Sequence, residues 1–351
     1  MFFPHLPEDL SFLNEEIQAL GFTGVSYLRA TTPLTYEKYV QWINDHHYGE
    51  MAYLKNHLSV KKDLTLLRPE ARSIFSFTHP YRILSKKHQE LPIESLRVAL
   101  YAQDSDYHDW LLEKLNQVVN ILKKKFPNDF FLATTDSFPI LERDFAYQNG
   151  LGWIGKNTCL IHPKLGSLFL IGNIISSLKI DSLPLAPIHD FCGKCRQCID
   201  ACPTQAIKED KTLIASKCIS YWTIESKKNA PTELRSSFSD HFFGCDICQT
   251  VCPWNKKALT NVFSYSLKQP VERDPKLIDE LRFFLTASSK EIKNKLNHTA
   301  LSRAKVTGLR RNAMIVIANK KITELRKEIQ PWTENEELME IANWTLEQLV
   351  T

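Results

Sequence analysis

Eight of the nine cysteines of this 351-residue chain fall between positions 192 and 252, and their spacing constrains the fold more than any other feature. The first run reads Cys192-x2-Cys195-x2-Cys198-x3-Cys202-Pro203. The second run reads Cys245-x2-Cys248-x3-Cys252-Pro253, and its leading cysteine, Cys218, lies further upstream. The first spacing is the one with which bacterial two-cluster proteins bind cubane iron–sulfur clusters. We therefore predict two [4Fe–4S] clusters.

The spacing also assigns the ligands, because the fourth cysteine of such a run binds the other cluster. The first set is then Cys192, Cys195, Cys198 and Cys252, and the second set is Cys202, Cys218, Cys245 and Cys248. Residues 219–244 become an insertion between two ligands of one cluster. We expect this insertion to have a role in the site.

Two other kinds of structure also account for clustered cysteines. Paired CxxC motifs form four-cysteine zinc sites, but two Cys-x3-Cys-Pro endings favour iron–sulfur clusters. Structural disulfides are disfavoured, because the rest of the chain carries only Cys159, which suits a reducing compartment.

Charge and hydropathy limit the partners and the compartment. The 44 basic and 40 acidic residues give a net charge of +4, which permits nucleic-acid binding without arguing for it. The longest apolar run, Leu168–Leu178, is interrupted by polar residues and is shorter than the ~18 residues of a membrane span. The amino-terminal residues show no basic segment and no twin-arginine signal. We expect a cytoplasmic protein with no membrane span, and a monomer by default.

The pattern of apolar residues predicts an α/β domain over residues 1–182. Helices are expected at 7–20, 35–47, 50–58 and 106–125. Strands are expected at 72–78, 96–101, 129–135 and 167–175. Pro184 and Pro187 mark the boundary to a double [4Fe–4S] ferredoxin-like domain, residues 183–262.

The remaining segment, residues 270–351, has a helical pattern throughout. Helices are expected at 275–286, 288–297, 309–319, 321–329 and 334–349. Paired short helices with short links indicate a small solenoid of HEAT-like units, although no strict repeat is visible.

The stretch Asp136–Asn157 holds the main site candidates of the first domain. Gly150, Gly152 and Gly155 indicate a backbone that another group approaches closely. Asp136 ends a predicted strand, where ligand sites of α/β domains tend to lie. Its carboxyl is a candidate to hold a proton at neutral pH and to donate it. Capping of a helix that starts near Pro139 is an equal alternative.

Other residues of this stretch have structural alternatives. Glu142 and Arg143 fit an ion pair on a solvated helix face. Trp153 fits a core position better than a cofactor wall, and Lys156 and Asn157 fit a turn as well as phosphate or amide contacts. No GxGxxG follows a strand and no P-loop is present, so a nucleotide site is unsupported.

Two histidines have local explanations. Asp106 is expected to cap the helix at 106–125, with His108 in its first turn. The segment Asp45-x-His47-x-Gly49 approaches the DxHxxG signature of proteins that ligate cobalamin through histidine, but Glu50 stands where the glycine belongs. We therefore expect no such axial histidine.

Five segments make the chain resemble the epoxyqueuosine reductase family, over essentially its whole length. They are LERDFAYQNGLGWIGKN (141–157), CGKCRQCIDACPTQAI (192–207), CISYWTIE (218–225), FGCDICQTVCPWN (243–255) and GLRRNAMIVIAN (308–319). The family is related to cobalamin-dependent reductive dehalogenases. The resemblance therefore implies a cobalamin-binding α/β domain of the nitroreductase and reductive-dehalogenase type.

The resemblance also implies a function and its cofactors. The family binds base-off cobalamin, supplies it with electrons through two [4Fe–4S] clusters, and reduces epoxyqueuosine at the tRNA wobble position to queuosine, the last step of queuosine biosynthesis. The substrate would be a tRNA with a GUN anticodon, specific for aspartate, asparagine, histidine or tyrosine. The electron donor would be a low-potential protein such as flavodoxin or ferredoxin.

Individual residues match functional positions of the family. Asp136 matches its proposed proton donor. The positions that match cofactor-contacting segments are Tyr101, Trp153, Lys156, Asn157, Leu160, Ser167, Ile171, Ser220 and Asp246. The helical region matches the tRNA-contacting part, and its candidates are Arg303, Arg310, Arg311 and Asn312. Phosphate contact requires exposed basic side chains, and a solvated helix face is the alternative for each arginine.

The chain departs from the family pattern at three places near the expected pocket. Leu100-Tyr101-Ala102 replaces Arg-Tyr-Ala, Asp63-Leu64 replaces Asp-Pro, and Ser137-Phe138 replaces Thr-Gly beside Asp136. Two rival functions stay open: a cytoplasmic reductive dehalogenase with the same cofactors, and an electron-transfer or RNA-binding module without catalysis.

Overall fold

The computed structural model describes residues 2–81, 91–180, 186–260 and 274–350. The predicted domain boundaries at 182, 262 and 270, together with Pro184, lie outside these residues, and the division into three domains stays a prediction. None of the helices in the described ranges combines the length and the apolar character that a bilayer crossing needs.

The described residues form nine strands and fourteen α-helices, and the last part of the chain, from α10 onward, is helical throughout. The strands are β1 (Phe3–His5), β2 (Gly24–Arg29), β3 (Ser73–Pro80), β4 (Arg97–Val98), β5 (Phe131–Thr134), β6 (Trp153–Ile154), β7 (Leu160–Ile161), β8 (Phe169–Ser176) and β9 (His241–Phe243). The α-helices are α1 (Asn14–Ala19), α2 (Tyr36–Asn44), α3 (Leu58–Lys62), α4 (Tyr107–Lys125), α5 (Glu142–Gln148), α6 (Gln197–Asp200), α7 (Thr232–Arg235), α8 (Ile247–Thr250), α9 (Lys256–Thr260), α10 (Pro275–Thr286), α11 (Ser289–Lys295), α12 (Lys305–Lys320), α13 (Arg326–Ile329) and α14 (Met339–Gln348). Residues Tyr221–Glu225 form a π-helical turn.

A five-stranded mixed sheet in the order β1-β2-β3-β8-β5 organises the first part of the chain. β1 and β2 are parallel, and the other neighbours are antiparallel. One apolar cluster, which includes Phe77 and Leu115, packs α4 against one face of the sheet. A second cluster, which includes Ile175 and Phe145, packs α5 against the other face. Because both faces are covered, the central strands β3 and β8 are buried over nearly their whole length.

Most of the predicted elements of this part are confirmed. The strands β3, β5 and β8 lie within two residues of the predicted limits. The long helix is α4, and Asp106 caps it by accepting a hydrogen bond from the His108 backbone N–H, as predicted. The helix predicted at 7–20 begins as a 3-10 turn, Glu8–Leu13, before α1.

Other elements differ from the prediction. β1 and β2 are not predicted, because β2 is buried on both faces and carries Gly24 and Ser26, so it lacks the alternation of a half-buried strand. The segment predicted at 50–58 divides into a 3-10 turn, Ala52–Lys55, and α3. The strand predicted at 96–101 shortens to β4, which pairs with β9 of the insertion rather than with the main sheet.

The helical region and the insertion share the largest apolar core. Phe238, Phe242 and Phe243 of the insertion pack in one cluster with Leu281 of α10 and Ile315 of α12. α10 has the predicted limits at both ends, whereas α12 begins four residues before its predicted start. The insertion therefore folds onto the helical region and leaves its first residues next to the cysteine runs.

Two residues of α12 stabilise the contact between the insertion and the helical region, and their burial contradicts a prediction. Arg311 and Asn312 are only 4% and 1% exposed. The Arg311 guanidinium donates hydrogen bonds of 2.6 to 3.0 Å to the carbonyl oxygens of Trp222, Ser226 and Lys228. The Asn312 amide donates to two further carbonyl oxygens of the insertion. Buried carbonyls need such donors, so the prediction that these two residues contact tRNA is wrong.

We expect Arg311→Leu to lower the free energy of unfolding by about 3 kcal/mol, because it leaves three carbonyl groups without their donor. The shift of the urea midpoint of cluster-containing protein measures the effect. Lys290→Leu, at an exposed position of α11, is the control and should change this free energy by less than about 0.5 kcal/mol. An unchanged midpoint for Arg311→Leu would contradict the fastening role.

Candidate active site

A cavity of about 1270 Å³ is lined by all three parts of the chain. It is larger than the roughly 300–1,000 Å³ of ordinary small-molecule sites. Its lining comes from segments within 35–61, 101–108, 136–158, 211–213, 224–225 and 300–305, together with Asp190. Aromatic side chains supply much of the surface, among them Tyr39, Trp42, Tyr101 and Trp153. The cavity can therefore accept a large ligand with flat faces.

The start of α4 brings polar groups into this cavity around Asp136. Asp106 caps the helix, and this fixes the first turn so that Tyr107 and His108 both reach Asp136. The Tyr107 hydroxyl donates to one oxygen of the Asp136 carboxylate at 2.6 Å. His108 Nε2 lies 2.8 Å from the other oxygen, and His108 Nδ1 lies 2.7 Å from the Asp106 carboxylate. Asp136 therefore does not cap a helix; α5 begins only at Glu142.

The charges of this group place a proton on His108. The hydrogen bonds to Asp106 and then to Asp136 raise the pKa of His108 to about 10. Burial alone would raise the pKa of Asp136, but the hydrogen bond and charge of His108 and the hydrogen bond from Tyr107 lower it below its usual value. The expectation that the Asp136 carboxyl itself holds a proton at neutral pH is therefore corrected.

A second carboxyl lies in the same cavity at the first position of α5. Glu142 Oε2 is enclosed and has no hydrogen-bond partner among the described residues. Burial, and then the negative charge of Asp136, raise the pKa of Glu142 to about 8. Arg143 turns away and donates to the Thr158 carbonyl oxygen at 2.6 Å. The predicted Glu142–Arg143 pair on a solvated helix face is therefore wrong.

The predicted cofactor contacts divide into two groups. Tyr101 and Trp153 line the cavity, and the other seven residues do not. Leu160 and Ile171 belong to a buried apolar cluster. Ser220 donates a hydrogen bond to the Cys218 sulfur. These last three residues therefore serve the core or a cluster ligand.

The other four predicted contacts hold the cysteine loops. Lys156 Nζ lies 3.6 Å from Glu209, and Asn157 donates to the Cys248 carbonyl oxygen at 3.3 Å. The Ser167 hydroxyl donates to the Gln249 side chain at 2.9 Å. Asp246 accepts a hydrogen bond of 2.6 Å from the Leu100 backbone N–H. The contacts of Asn157, Ser167 and Asp246 join the first part of the chain to the second cysteine run, and that of Lys156 joins it to the segment after the first run.

The glycines of the stretch 136–157 are explained by the chain itself. A Cβ atom on Gly152 would lie 2.5 Å from the Ile161 carbonyl oxygen, and one on Gly155 would meet the Ile161 side chain. Gly150 has a φ of 76°, which favours glycine at the end of α5. The group that approaches this backbone closely is therefore the β6–β7 hairpin.

The first set of four cysteines comes together in space. Burial, and then the negative charges of the neighbouring Cys192, Cys252 and Cys195 sulfurs, raise the pKa of Cys198. The Trp153 indole N–H donates to Cys192 Sγ at 3.5 Å, and backbone N–H groups donate to Cys252. Hydrogen bonds to sulfur are among the contacts that tune the potential of a cluster. Since Trp153 also lines the cavity, this set is joined directly to it.

The second set is assembled in the same way, with α6 packed against α8 between the two runs. Cys218 interacts with Cys202, and Cys248 with Cys245 and Cys218. The Ala206 backbone N–H donates to Cys202 Sγ at 3.3 Å. The π-helical turn follows Cys218 directly, and Ile224 and Glu225 of this turn line the cavity.

The two remaining arginine candidates have different surroundings. Arg303 lines the cavity, is exposed, and donates to both oxygens of Glu225 at 3.0 and 3.1 Å. Arg310 donates to the Phe284 and Ala287 carbonyl oxygens and is not among the residues that line the cavity. Only Arg303 therefore remains a candidate for substrate contact.

Sequence reasoning missed several residues of the site. The sequence pattern explains Tyr107 and His108 as the first turn of a helix and Glu142 as a surface residue. The signal that points to the site is that two polar side chains, Tyr107 and His108, follow the Asp106 cap directly.

Comparisons with known proteins agree with this geometry. The protein-family model described as "Epoxyqueuosine reductase QueG, DUF1730" matches residues 61–137. The family model described as "4Fe-4S double cluster binding domain" matches residues 191–255. The epoxyqueuosine reductase of Cellulophaga algicola is 34% identical over 294 residues, which cover 83% of this chain and 91% of that protein.

Solved structures of epoxyqueuosine reductases also match. One, a crystal structure with an epoxyqueuosine-modified tRNA-Tyr stem loop, is 26% identical with a TM-score of 0.82, covering 97% of this chain and 89% of that one. A Bacillus subtilis structure, described with its aspartate catalytic loop swung out of the active site, is 26% identical with a TM-score of 0.82 and covers 97% and 90% of the two chains. With these similarities extending over most of its length, the chain belongs to the epoxyqueuosine reductase family.

Proposed function

We propose that this site reduces the epoxide of epoxyqueuosine, at the wobble position of a tRNA anticodon, to the alkene of queuosine. The observation that carries the proposal is the Tyr107–His108–Asp136 group, which lies in a large cavity joined to both cysteine sets in a chain of this family. The reaction consumes two electrons and two protons and releases the epoxide oxygen as water. The site must therefore bind the nucleoside, receive electrons and hold protons.

The residues of the cavity fit cobalamin, which the family resemblance implies. The volume of about 1270 Å³ and the aromatic lining suit a corrin ring, and Tyr101 would lie against it. Trp153 is only 1% exposed and supports this wall from the core, as its sequence position predicts. His47, the axial candidate considered in the sequence, is not among the lining residues, and its carbonyl oxygen accepts a hydrogen bond from Ala215. When bound, cobalamin supplies low-potential cobalt chemistry at the epoxide carbon.

Asp136 and its neighbours supply the first proton. Opening of the epoxide develops negative charge on its oxygen, and nearby donors stabilise that charge. The ionised Asp136 carboxylate relays a proton from the His108 imidazolium to this oxygen, and the Tyr107 hydroxyl keeps the carboxylate in place. The Asp136 carboxylate thus relays the proton, and the His108 imidazolium holds it beforehand.

The tRNA would approach the cavity on the side of Arg303. The structure of a relative with an epoxyqueuosine-modified stem loop supports an RNA substrate, and Arg303 is an exposed cation at the cavity. A phosphate would take over the hydrogen bonds that Glu225 now accepts. We propose that tRNAs with a GUN anticodon bind here and that a low-potential donor protein such as flavodoxin or ferredoxin delivers electrons.

The ligand role of Cys218 is tested by counting iron. Cys218→Ala removes one ligand of the second set, so we expect anaerobically reconstituted protein to bind about half of the wild-type iron and sulfide. The control is Cys159→Ala, which removes the cysteine outside both sets and should keep the full content. A full iron content in Cys218→Ala would contradict the assignment.

Asp136→Asn keeps the shape of the side chain but removes the ionisable relay. We expect both clusters and cobalamin to bind as before and turnover to fall by about 10²–10⁴-fold. Turnover is measured as cobalamin-dependent loss of one oxygen from epoxyqueuosine in tRNA, by nucleoside mass spectrometry. Asp45→Asn, at an exposed position outside the cavity, is the control; equal turnover of the two variants would remove Asp136 from the mechanism.

Arg303→Ala should weaken binding of the tRNA stem loop and reduce the slope of log affinity against log salt by about 1, because one phosphate contact is lost. Fluorescence anisotropy over a salt series measures both quantities. Arg310→Ala is the control and should keep the wild-type slope, since that side chain is bound to backbone carbonyls. Equal slopes for Arg303→Ala and wild-type protein would refute the phosphate contact.

A further inference from the structure

The proposed reaction requires two protons, but the group around Asp136 stores only one. Asp106 and Asp136 both have lowered pKa values, and His108 between them carries the proton. Tyr107 is not a ready donor, because burial and the charge of Asp136 raise its pKa far above the usual value. A second proton has to come from another group in the cavity or from water.

Glu142 has the position that a second donor needs. It is the first residue of α5, directly after the loop 137–141 that follows Asp136, and its side chain lines the same cavity. Its Oε2 atom is enclosed and has no hydrogen-bond partner among the described residues. Ionisation would leave this enclosed oxygen with negative charge and no hydrogen-bond donor, so the neutral acid is favoured.

The charged groups around Glu142 favour its neutral form on balance, and none of the neighbouring cations named below forms an ion pair with it. After burial, the negative charge of Asp136 opposes ionisation of Glu142, and Glu142 in turn raises the pKa of Tyr107. Arg143 and His108 act in the opposite direction. The Arg143 guanidinium is committed to the Thr158 carbonyl oxygen, and His108 to the two aspartates, so neither forms an ion pair with Glu142.

We propose that Glu142 is the second proton donor of the site, supplying the proton that completes the conversion of the epoxide oxygen to water. This inference rests on the proposed function. The first C–O bond breaks as two electrons enter through the clusters, and the epoxide oxygen takes the proton that Asp136 relays. The second C–O bond then breaks as the alkene forms, and the departing hydroxide takes the proton of Glu142 and leaves as water.

The Coulomb interaction between the two carboxyls sets the order of the transfers. While Asp136 is negative, Glu142 is held in its acid form, because two nearby carboxyls resist simultaneous ionisation. With a pKa of about 8, Glu142 keeps its proton at neutral pH and gives it readily to a stronger base such as the departing hydroxide. Two carboxyls with pKa values pushed apart in one cavity are the usual arrangement for an acid and a charged partner.

The test compares Glu142→Gln, which keeps the size of the side chain and removes its proton, with wild-type protein. In wild-type protein without substrate, pH-difference infrared spectroscopy should show a carboxylic acid band that titrates near pH 8 and is absent in the variant. With tRNA substrate and both cofactors, turnover of the variant should fall by about 10²-fold. The rate of wild-type protein should decline above pH 8, where Glu142 loses its proton, and the variant should lack this decline.

Two controls keep the result interpretable. Glu113→Gln, at an exposed position of α4, should change neither the infrared band nor the rate. Glu142→Asp retains an acid and should recover part of the rate together with the decline at high pH, which a purely structural role would not restore.

The inference is overturned if wild-type protein lacks the titrating band, or if Glu142→Gln keeps the wild-type rate and pH profile. Failure of the proposed function would look different: wild-type protein with both clusters and cobalamin would then leave epoxyqueuosine unchanged. The infrared arm needs neither substrate nor cofactor turnover, so it reports on Glu142 in either case.

Discussion

The crossed arrangement of the two cysteine runs is the constraint on which the rest of the structure depends. Cys252, at the end of the second run, interacts with Cys192 and Cys195 of the first run, and Cys202 interacts with Cys218, which is the arrangement that crossed cluster ligation requires. The crossing brings α6 against α8. It also places Cys218 beside Cys202, so that the π-helical turn after Cys218 reaches the cavity. Cluster binding, the course of the insertion and the shape of the cavity are therefore coupled.

The insertion also needs hydrogen-bond donors for its buried carbonyl oxygens, which iron–sulfur clusters cannot provide. Its backbone leaves several carbonyl oxygens buried in the core that it shares with the helical region, and unpaired buried carbonyls are costly. Arg311 and Asn312 satisfy these oxygens from one turn of α12. An arginine suits this task because its planar guanidinium presents several donors at fixed angles. The arginine-rich segment of α12 thus serves the fold, and Arg303, which precedes the helix, is the one of the four tRNA-contact candidates that lines the cavity.

Sequence reasoning succeeded where the information is local in the chain. Cysteine spacing predicted two iron–sulfur clusters, in agreement with the match to a double-cluster domain. Apolar periodicity predicted the limits of α10, and an aspartate before a helix predicted the cap at Asp106. It failed where the decisive contact joins distant segments. Nothing near Arg311 in the chain shows that it faces the carbonyls of residues 222–228. Likewise, the environment of Glu142 depends on α4, more than thirty positions earlier, so a helix-surface pattern misplaced it.

The distribution of protons in the cavity follows from the same long-range packing. Because α4 is capped by Asp106, its first turn presents an imidazole between two carboxylates, and these stabilise the imidazolium. The charged Asp136 that results is also what raises the pKa of the enclosed Glu142, after burial itself. One helix cap therefore fixes the protonation of both neighbouring groups: a cation is kept on His108 and a neutral acid on Glu142. A reaction that must deliver two protons to one oxygen needs two separate stores, and the His108 imidazolium and the neutral Glu142 acid hold one proton each.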